Sequence, residues 1–395
     1  MSLAPTLTLE QAAGRSWSVV VVGAGPAGAV VAGLIARAGA SVLLVDRSTF
    51  PRAKVCGCCL NGRALSALAD AGLGELPGEL GAVPLSAFRL AARGHEAELR
   101  LDRGVSLSRE AFDAALIRRA IDGGVEFLPA TRATGLIPRH GEAVRRILLH
   151  QPGGEREIAA GVVLAADGLG GSMLADGPAG RIRPGSRIGA GVVVDFAEPF
   201  YARGTIFMAT ATTGYVGLVR LESGRLDIAC AFAPGAVRAA GGPGAAAARI
   251  LAEAGWPVPA KLDEAGWRGT APLTRQARRV SGHRLFGLGD ATGYVEPFTG
   301  EGMAWAISSA VALAPIALEA AHAWRPELAR LWQQTHHSVV TRRQRVCRVA
   351  AEVLRRPWLA GLVVRCLARV PMLGWPVVRH LNTPAVPGLF SGSIQ

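Results

Sequence analysis

The stretch VVVVGAGPAGAVVAGLIARAGASVLLVD, Val19–Asp46, decides the fold. Val19–Val22 is an unbroken β-branched run, Ala27–Ala38 is an apolar segment of helix length, and Ser41–Val45 is a second extended run that ends in Asp46. Strand, helix and strand within this span make a βαβ unit of the expected ~30 residues. Gly23, Gly25 and Gly28 stand in a G-x-G-x-x-G pattern. The first glycine permits a tight turn, the second lets the backbone approach a pyrophosphate, and the third lets the helix sit close to the strand. Asp46 then falls where a carboxylate accepts the ribose hydroxyls of an adenosine, which points to FAD or NAD with an unphosphorylated 2′-position.

Two further acids follow strand-like runs. Asp167 and Gly168 come after Val162–Leu164, and Asp290 comes after Leu285–Leu288. The second of these opens GDATGYVEPFTGEGMAWAISSA, Gly289–Ala310, a Pro/Gly loop leading into a long Ala-rich helix. Three acids at the ends of strands in one parallel sheet would lie along the edge where open α/β sheets bind ligands.

Together, GAGPAG, ADG and GDATGYVEPFTGEG resemble the FAD-dependent oxidoreductase superfamily of aromatic hydroxylases, and within it the geranylgeranyl reductase-like branch. The resemblance spans about Ser18 to Ala321. It implies that Asp290 bonds a ribityl hydroxyl, while Gly300, Gly302 and Met303 begin a helix aimed at the pyrimidine edge of the flavin. A helix N-terminus there favours negative charge on reduced flavin. It also implies that Arg109 packs along the FAD with Asp113 one turn later, and that RAKVCGCCL, with Arg47 just upstream, lies beside the flavin. Lys54, Cys56 and Gly57 match the branch's K-x-C-G-G-G-L, whereas Cys58 and Cys59 replace glycines. Gly293 stands where the hydroxylases carry His, and GYVGLVR lacks the Trp and Pro of the reductases' Y-x-W-x-F-P.

The expected fold is α/β: a Rossmann-type FAD-binding domain with an inserted antiparallel β-sheet substrate domain and a helical C-terminus. Residues 14–81, 105–185 and 280–325 form the discontinuous FAD-binding domain, 82–104 and 186–279 the substrate sheet, and 326–395 the helical region. Residues 1–14 read as a loose tail. The expected function is an FAD-dependent oxidoreductase acting on a hydrophobic small molecule, favoured as a carbon–carbon double-bond reductase or dehydrogenase. The electron donor is NAD(P)H or another reductant. Two alternatives stay open: an FAD-dependent monooxygenase hydroxylating an aromatic or polyketide-like substrate, and a flavin-holding electron relay at a membrane surface. Tyr215, Glu296 and Cys59 are the catalytic candidates.

Composition narrows the partners. The net charge of +13 comes from 43 basic residues spread along the chain, and aromatics, at 6%, are not interleaved with them, so a nucleic-acid partner is not expected. Cys56, Cys58 and Cys59 are too closely spaced for a zinc knuckle and no second ligand pair stands near, so no metal is expected. They read as channel lining or as redox-active thiols. No signal-peptide pattern precedes them, and a cytoplasmic setting is expected. No transmembrane span is expected, because Ser16–Ala36 is broken by GAGPAG and Gly302–Leu318 is short and holds Pro315. In RRQRVCRVAAEVLRR, Val346, Val349, Ala350, Val353 and Leu354 share one helical face opposite Arg345, Arg348, Glu352, Arg355 and Arg356. That helix either docks on the protein's own core or lies in an anionic membrane surface, on the inner face of the membrane.

Overall fold

The structure, a computed structural model, describes residues 2–137, 143–174, 181–195, 199–296, 298 and 300–383. Its centre is a sheet in which β1 (Ser16–Val22) is followed by helix α1 (Pro26–Arg37) and β2 (Val42–Val45). Helix α2 (Arg109–Asp122) leads to β3 (Glu126–Leu128), the long β4 (Gly154–Ala165) arrives later, and β5 (Leu285–Gly287) precedes helix α3 (Gly302–His322). The spatial order is β5–β4–β1–β2–β3, all parallel.

Because both faces of this sheet are covered, its strands are continuous apolar runs rather than alternating ones. On one face α1, α2 and α3 pack together over Val19, Val21, Val42 and Leu44. That explains why α1 and α3 are apolar almost all round. Helix α3 is long and apolar enough to cross a membrane by length and composition, yet most of it is buried in this core.

The other face is covered by a hairpin and by the N-terminal residues. The expected loose tail is in fact ordered: Leu9–Ala13 is a short helix, and Leu7, Leu9 and Ala12 are buried against β1 and β4. Thr8 and Gln11 close a capping box, with Gln11 N–H donating to Thr8 Oγ1 at 3.1 Å and Thr8 N–H donating to Gln11 Oε1 at 2.8 Å. The T-x-x-Q signal was in the sequence and outweighs the chain-end expectation. The expected strand Val162–Ala166 is likewise only the end of β4, whose first half pairs antiparallel with Arg145–Gln151 before β4 enters the parallel sheet.

A seven-stranded sheet roofs the edge of the first. Its order is Arg268–Pro272, Ile188–Val194, Leu226–Phe232, Gly214–Arg220, Thr205–Ala211, Ala87–Ala92 and His95–Arg100. It is not purely antiparallel as expected: Thr205–Ala211 and Ala87–Ala92 run parallel, because this pair joins two segments far apart in sequence rather than a hairpin.

The C-terminal region forms helices at Pro326–His336, α4 (Gln344–Leu354), α5 (Pro357–Arg369) and α6 (Trp375–Asn382). Helix α5 packs against the outer strands Ala87–Ala92 and His95–Arg100, while α6 reaches the helix Gly62–Asp70 of the first unit. Residues 384–395 of the expected helical region lie outside the described residues.

Candidate functional site

Between the two sheets lies a cavity of about 1270 Å³. Single-ligand sites hold roughly 300–1,000 Å³, so a dinucleotide and a substrate can share this one. Its floor is built by the turn after β1. Gly23 has φ +102°, and a Cβ there would meet the Ala166 carbonyl oxygen at 2.3 Å. Gly28 lies beneath the cavity wall, where a Cβ would fall 1.8 Å from the Gly23 oxygen. Only glycine lets the strand end, the helix start and the next strand end converge here. Pro26 opens α1 directly after Gly25, so free N–H groups and the positive dipole end face the cavity.

The three acids follow the ends of β2, β4 and β5 on the same edge of the parallel sheet and all line the cavity. Asp46 is held by Ala24 N–H donating to Oδ2 and Ser48 N–H to Oδ1, both at 2.8 Å. Each oxygen keeps a second lone pair for a ribose hydroxyl. Asp167 accepts from the Ser172 and Met173 amides at 2.8 and 3.1 Å through Oδ2, while its buried Oδ1 has no protein partner. Burial raises its carboxyl above the ordinary range. Asp290 sits in the turn Gly289–Thr292.

Cations surround the N-terminus of α1. Arg109 donates Nε and Nη2 to the two oxygens of Asp113, each at 2.8 Å. Arg52 Nη2 lies 3.8 Å from Asp46 and 3.9 Å from Asp113. Lys54 is pushed below the ordinary lysine range by burial, with Asp290 opposing that shift. Arg47 lines the same wall. This concentration of positive charge around a helix N-terminus suits a pyrophosphate, and the glycine cradle suits its approach.

At the other end, Gly300, Gly302 and Met303 line the cavity where α3 begins. Gly300 takes φ +68°, and Gly302 packs against the ring of Tyr294, where a Cβ would meet Cε2 at 3.3 Å. The residue between them, Glu301, points away and is ion-paired with Arg63.

Of the catalytic candidates, Tyr215 and Cys59 face the cavity. Burial pushes the Tyr215 hydroxyl well above its ordinary range; its ring lies under the Arg187 guanidinium at 5.5 Å and meets Phe298 edge-on at 5.4 Å. Cys59 Sγ donates to the Gly57 carbonyl at 2.9 Å, and burial raises its thiol. Glu296 is not brought to the cavity. It is fully buried behind it, accepting from Arg187 Nη1 at 2.6 Å, with Arg355 Nη2 at 3.5 Å. A carboxylate clamped by two guanidiniums holds the roof to the end of α4.

The structure adds cavity residues that the sequence reading missed. Tyr294 and Arg52 stood inside quoted motifs without a signal that set them apart, whereas Asp227 on Leu226–Phe232 had none at all. Cys56 also gains a partner: its thiol is lowered to about 6, first by a hydrogen bond from Cys58 and then by Arg109, against the effect of burial.

The chain matches the family described as "FAD binding domain" over residues 16–328. It is 28% identical over 351 residues to the menaquinone reductase of Mycobacterium tuberculosis, covering 80% of this chain and 79% of that one. It is 29% identical over 322 residues to the digeranylgeranylglycerophospholipid reductase 2 of Methanothermobacter thermautotrophicus, covering 78% and 80%. Among solved structures, the flavin-dependent brominase Bmp2 superposes with a TM-score of 0.76 at 17% identity, covering 93% of this chain and 94% of that one, a likeness of fold alone. A glycine cradle, an acid at the end of β2 and a helix start at the far end thus line one cavity, and the chain is a member of the FAD-binding domain family, an FAD-dependent oxidoreductase similar to geranylgeranyl reductase-like proteins.

Proposed function

We propose that the protein reduces or forms a carbon–carbon double bond in a long hydrophobic substrate. The observation that carries this reading is an apolar gallery that continues the cavity away from the cradle. Leu90, Met208, Gly217 and Ala231 line it from the roof, and Val349, Val353, Val364 and Leu367 line it from the C-terminal helices. Such a gallery would solvate a hydrocarbon chain and offers few polar groups to a small polar substrate. Both curated relatives described above carry reductase names with lipid-like substrates. Gly217 stands where the reductase branch places Trp, and a Cβ there would meet the Met208 methyl at 3.1 Å.

Bound FAD supplies a two-electron centre that gives or takes a hydride. The chain's own groups would hold it: Asp46 at the ribose, Arg52 and Arg109 at the pyrophosphate, Asp290 at the ribityl chain, and the amides of Gly302 and Met303 at the pyrimidine edge. Anaerobic single turnover with a long polyprenyl quinone is the test. Stoichiometric reoxidation of prereduced flavin, with a saturated product, supports the reading. Product that forms only after oxygen is admitted and carries its label would identify a monooxygenase instead.

The membrane reading shifts in place. The apolar face of α4 lines the gallery, with Val349 its one exposed apolar residue, so most of that face is turned from a bilayer. Eight of the twelve exposed large hydrophobics among the described residues fall at 358–377 instead, Met372 with 81% exposure among them. Arg365 and Arg369 lie in the same segment, and Arg379 just beyond it. Apolar side chains ringed by arginines beside a lipid-sized gallery suit peripheral contact with an anionic membrane, from which substrate would enter.

A further inference from the structure

We propose that Asp227 is a catalytic acid that delivers the proton in this reduction; the inference rests on the double-bond reading above. Asp227 is carried by the roof strand Leu226–Phe232, is 5% exposed and lines the cavity. Its strand neighbours in register are Val193 and Val219, both apolar. Its carboxyl lies within hydrogen-bonding reach of Cys58, while Oδ2 has no partner among the described residues. A buried carboxylate left this way would cost several kcal/mol, so the group is a neutral carboxylic acid.

The groups around it fit that state. Cys56, Cys58 and Cys59 face it from the loop and Arg109 from α2. The cluster places its negative charge on Cys56, beside Arg109, and Cys58 stays a neutral thiol between Cys56 and Asp227. Burial, and next the charge of Cys56, hold the proton on Asp227.

Reduction of an alkene adds a hydride to one carbon and a proton to its neighbour. Bound reduced FAD would supply the hydride with both electrons. The proton would come from the Asp227 O–H bond: the π bond, the O–H bond and the donor's bond to the hydride break, two C–H bonds form on carbon, the cofactor is left oxidised, and water reprotonates the carboxylate. Leu226, Ile228, Cys230 and Phe232, the alternate positions of this strand, pack into the apolar core on the other face of the roof, so Asp227 is the ionisable side chain the strand presents to the cavity.

The test uses the FAD-loaded protein and Asp227→Asn, with Asp227→Glu as a second variant. In the infrared spectrum at pH 7, the wild type should show a protonated-carboxyl band that shifts in D₂O and is missing from Asp227→Asn. In anaerobic turnover with a polyprenyl quinone, Asp227→Asn should keep its FAD and its fold yet reoxidise at least about 100-fold more slowly, and Asp227→Glu should recover part of the rate. Absence of the band in the wild type, or reoxidation of Asp227→Asn within about twofold of wild type, overturns the assignment while leaving the reductase reading intact. A wild type that shows the band but reduces no alkene removes the reductase reading, and the donor role with it.

Discussion

Arg63 and Glu301 form an ion pair sealed from solvent, with their side chains 1% and 0% exposed. Glu301 sits immediately before Gly302, where α3 starts at the cavity wall, and Arg63 lies on the helix Gly62–Asp70. Arg63 also donates to the backbone oxygens of Thr383 and His380, at 2.8 and 2.5 Å, and Cys347 Sγ donates to Glu301 Oε2 at 2.9 Å. One buried pair thereby ties the cofactor loop to α4 and α6, and so couples the cradle to the gallery wall.

Arg63→Ala should therefore destabilise the protein by about 3–5 kcal/mol, because it leaves a buried carboxylate without its main cation. Loss of FAD should accompany the fall in stability, since the start of α3 loses its anchor. Thermal melting with a parallel assay of bound flavin checks both, and an unchanged melting temperature would contradict the argument.

Asp46→Ala should lower FAD retention at least tenfold. It removes charge-assisted hydrogen bonds to the ribose, worth about 1.5–3 kcal/mol each, and also the acceptor for Ala24 N–H in the glycine turn. Stoichiometric flavin remaining after long dialysis would show that the carboxylate does not hold the adenosine.

Stability should fall in mild acid through His336. Burial lowers its pKa to about 4, and its Nε2 lies 2.9 Å from Thr292 Oγ1. The unfolded chain, with an ordinary value of 6.5, binds a proton that the folded chain refuses between pH 6.5 and 4. Its contribution is thus complete above pH 6.5 and is lost as pH falls toward 4, by on the order of 3 kcal/mol. Denaturant melts of wild type and His336→Gln across that window provide the comparison: the variant should show a shallower acid slope.

Met372→Glu combined with Trp375→Glu should abolish binding to anionic vesicles while leaving flavin content unchanged, since both side chains are exposed and outside the cradle. Each charge placed in the interface costs both apolar contact and repulsion from the lipid. Cosedimentation equal to wild type would move the contact elsewhere on the surface.

The cradle was legible because its signals are local. A β-branched run, a G-x-G-x-x-G turn and an acid at the next strand end each follow from backbone geometry within a few residues, and they predict both the fold and the cofactor. The helix start at Gly302 was legible for the same reason. The amphipathic α4 shows where this stops. Its apolar face was plain from spacing, but whether Val349 and Val353 meet a lipid or a cavity depends on α5 and the roof, which the spacing does not describe. Glu296 stood near the flavin motif in sequence and yet is clamped by Arg187 and Arg355, which come from 109 and 59 residues away. Asp227 stood near no such motif and is brought against Cys56 and Cys58 by the packing of the roof sheet on their loop. The sequence by itself determined the dinucleotide fold and the cofactor's chemical class, because turns, dipoles and strand periodicity act over short spans. Only the tertiary structure decided which acids line the cavity and which are clamped behind it, because burial and partner charge arise from segments that meet through long-range packing.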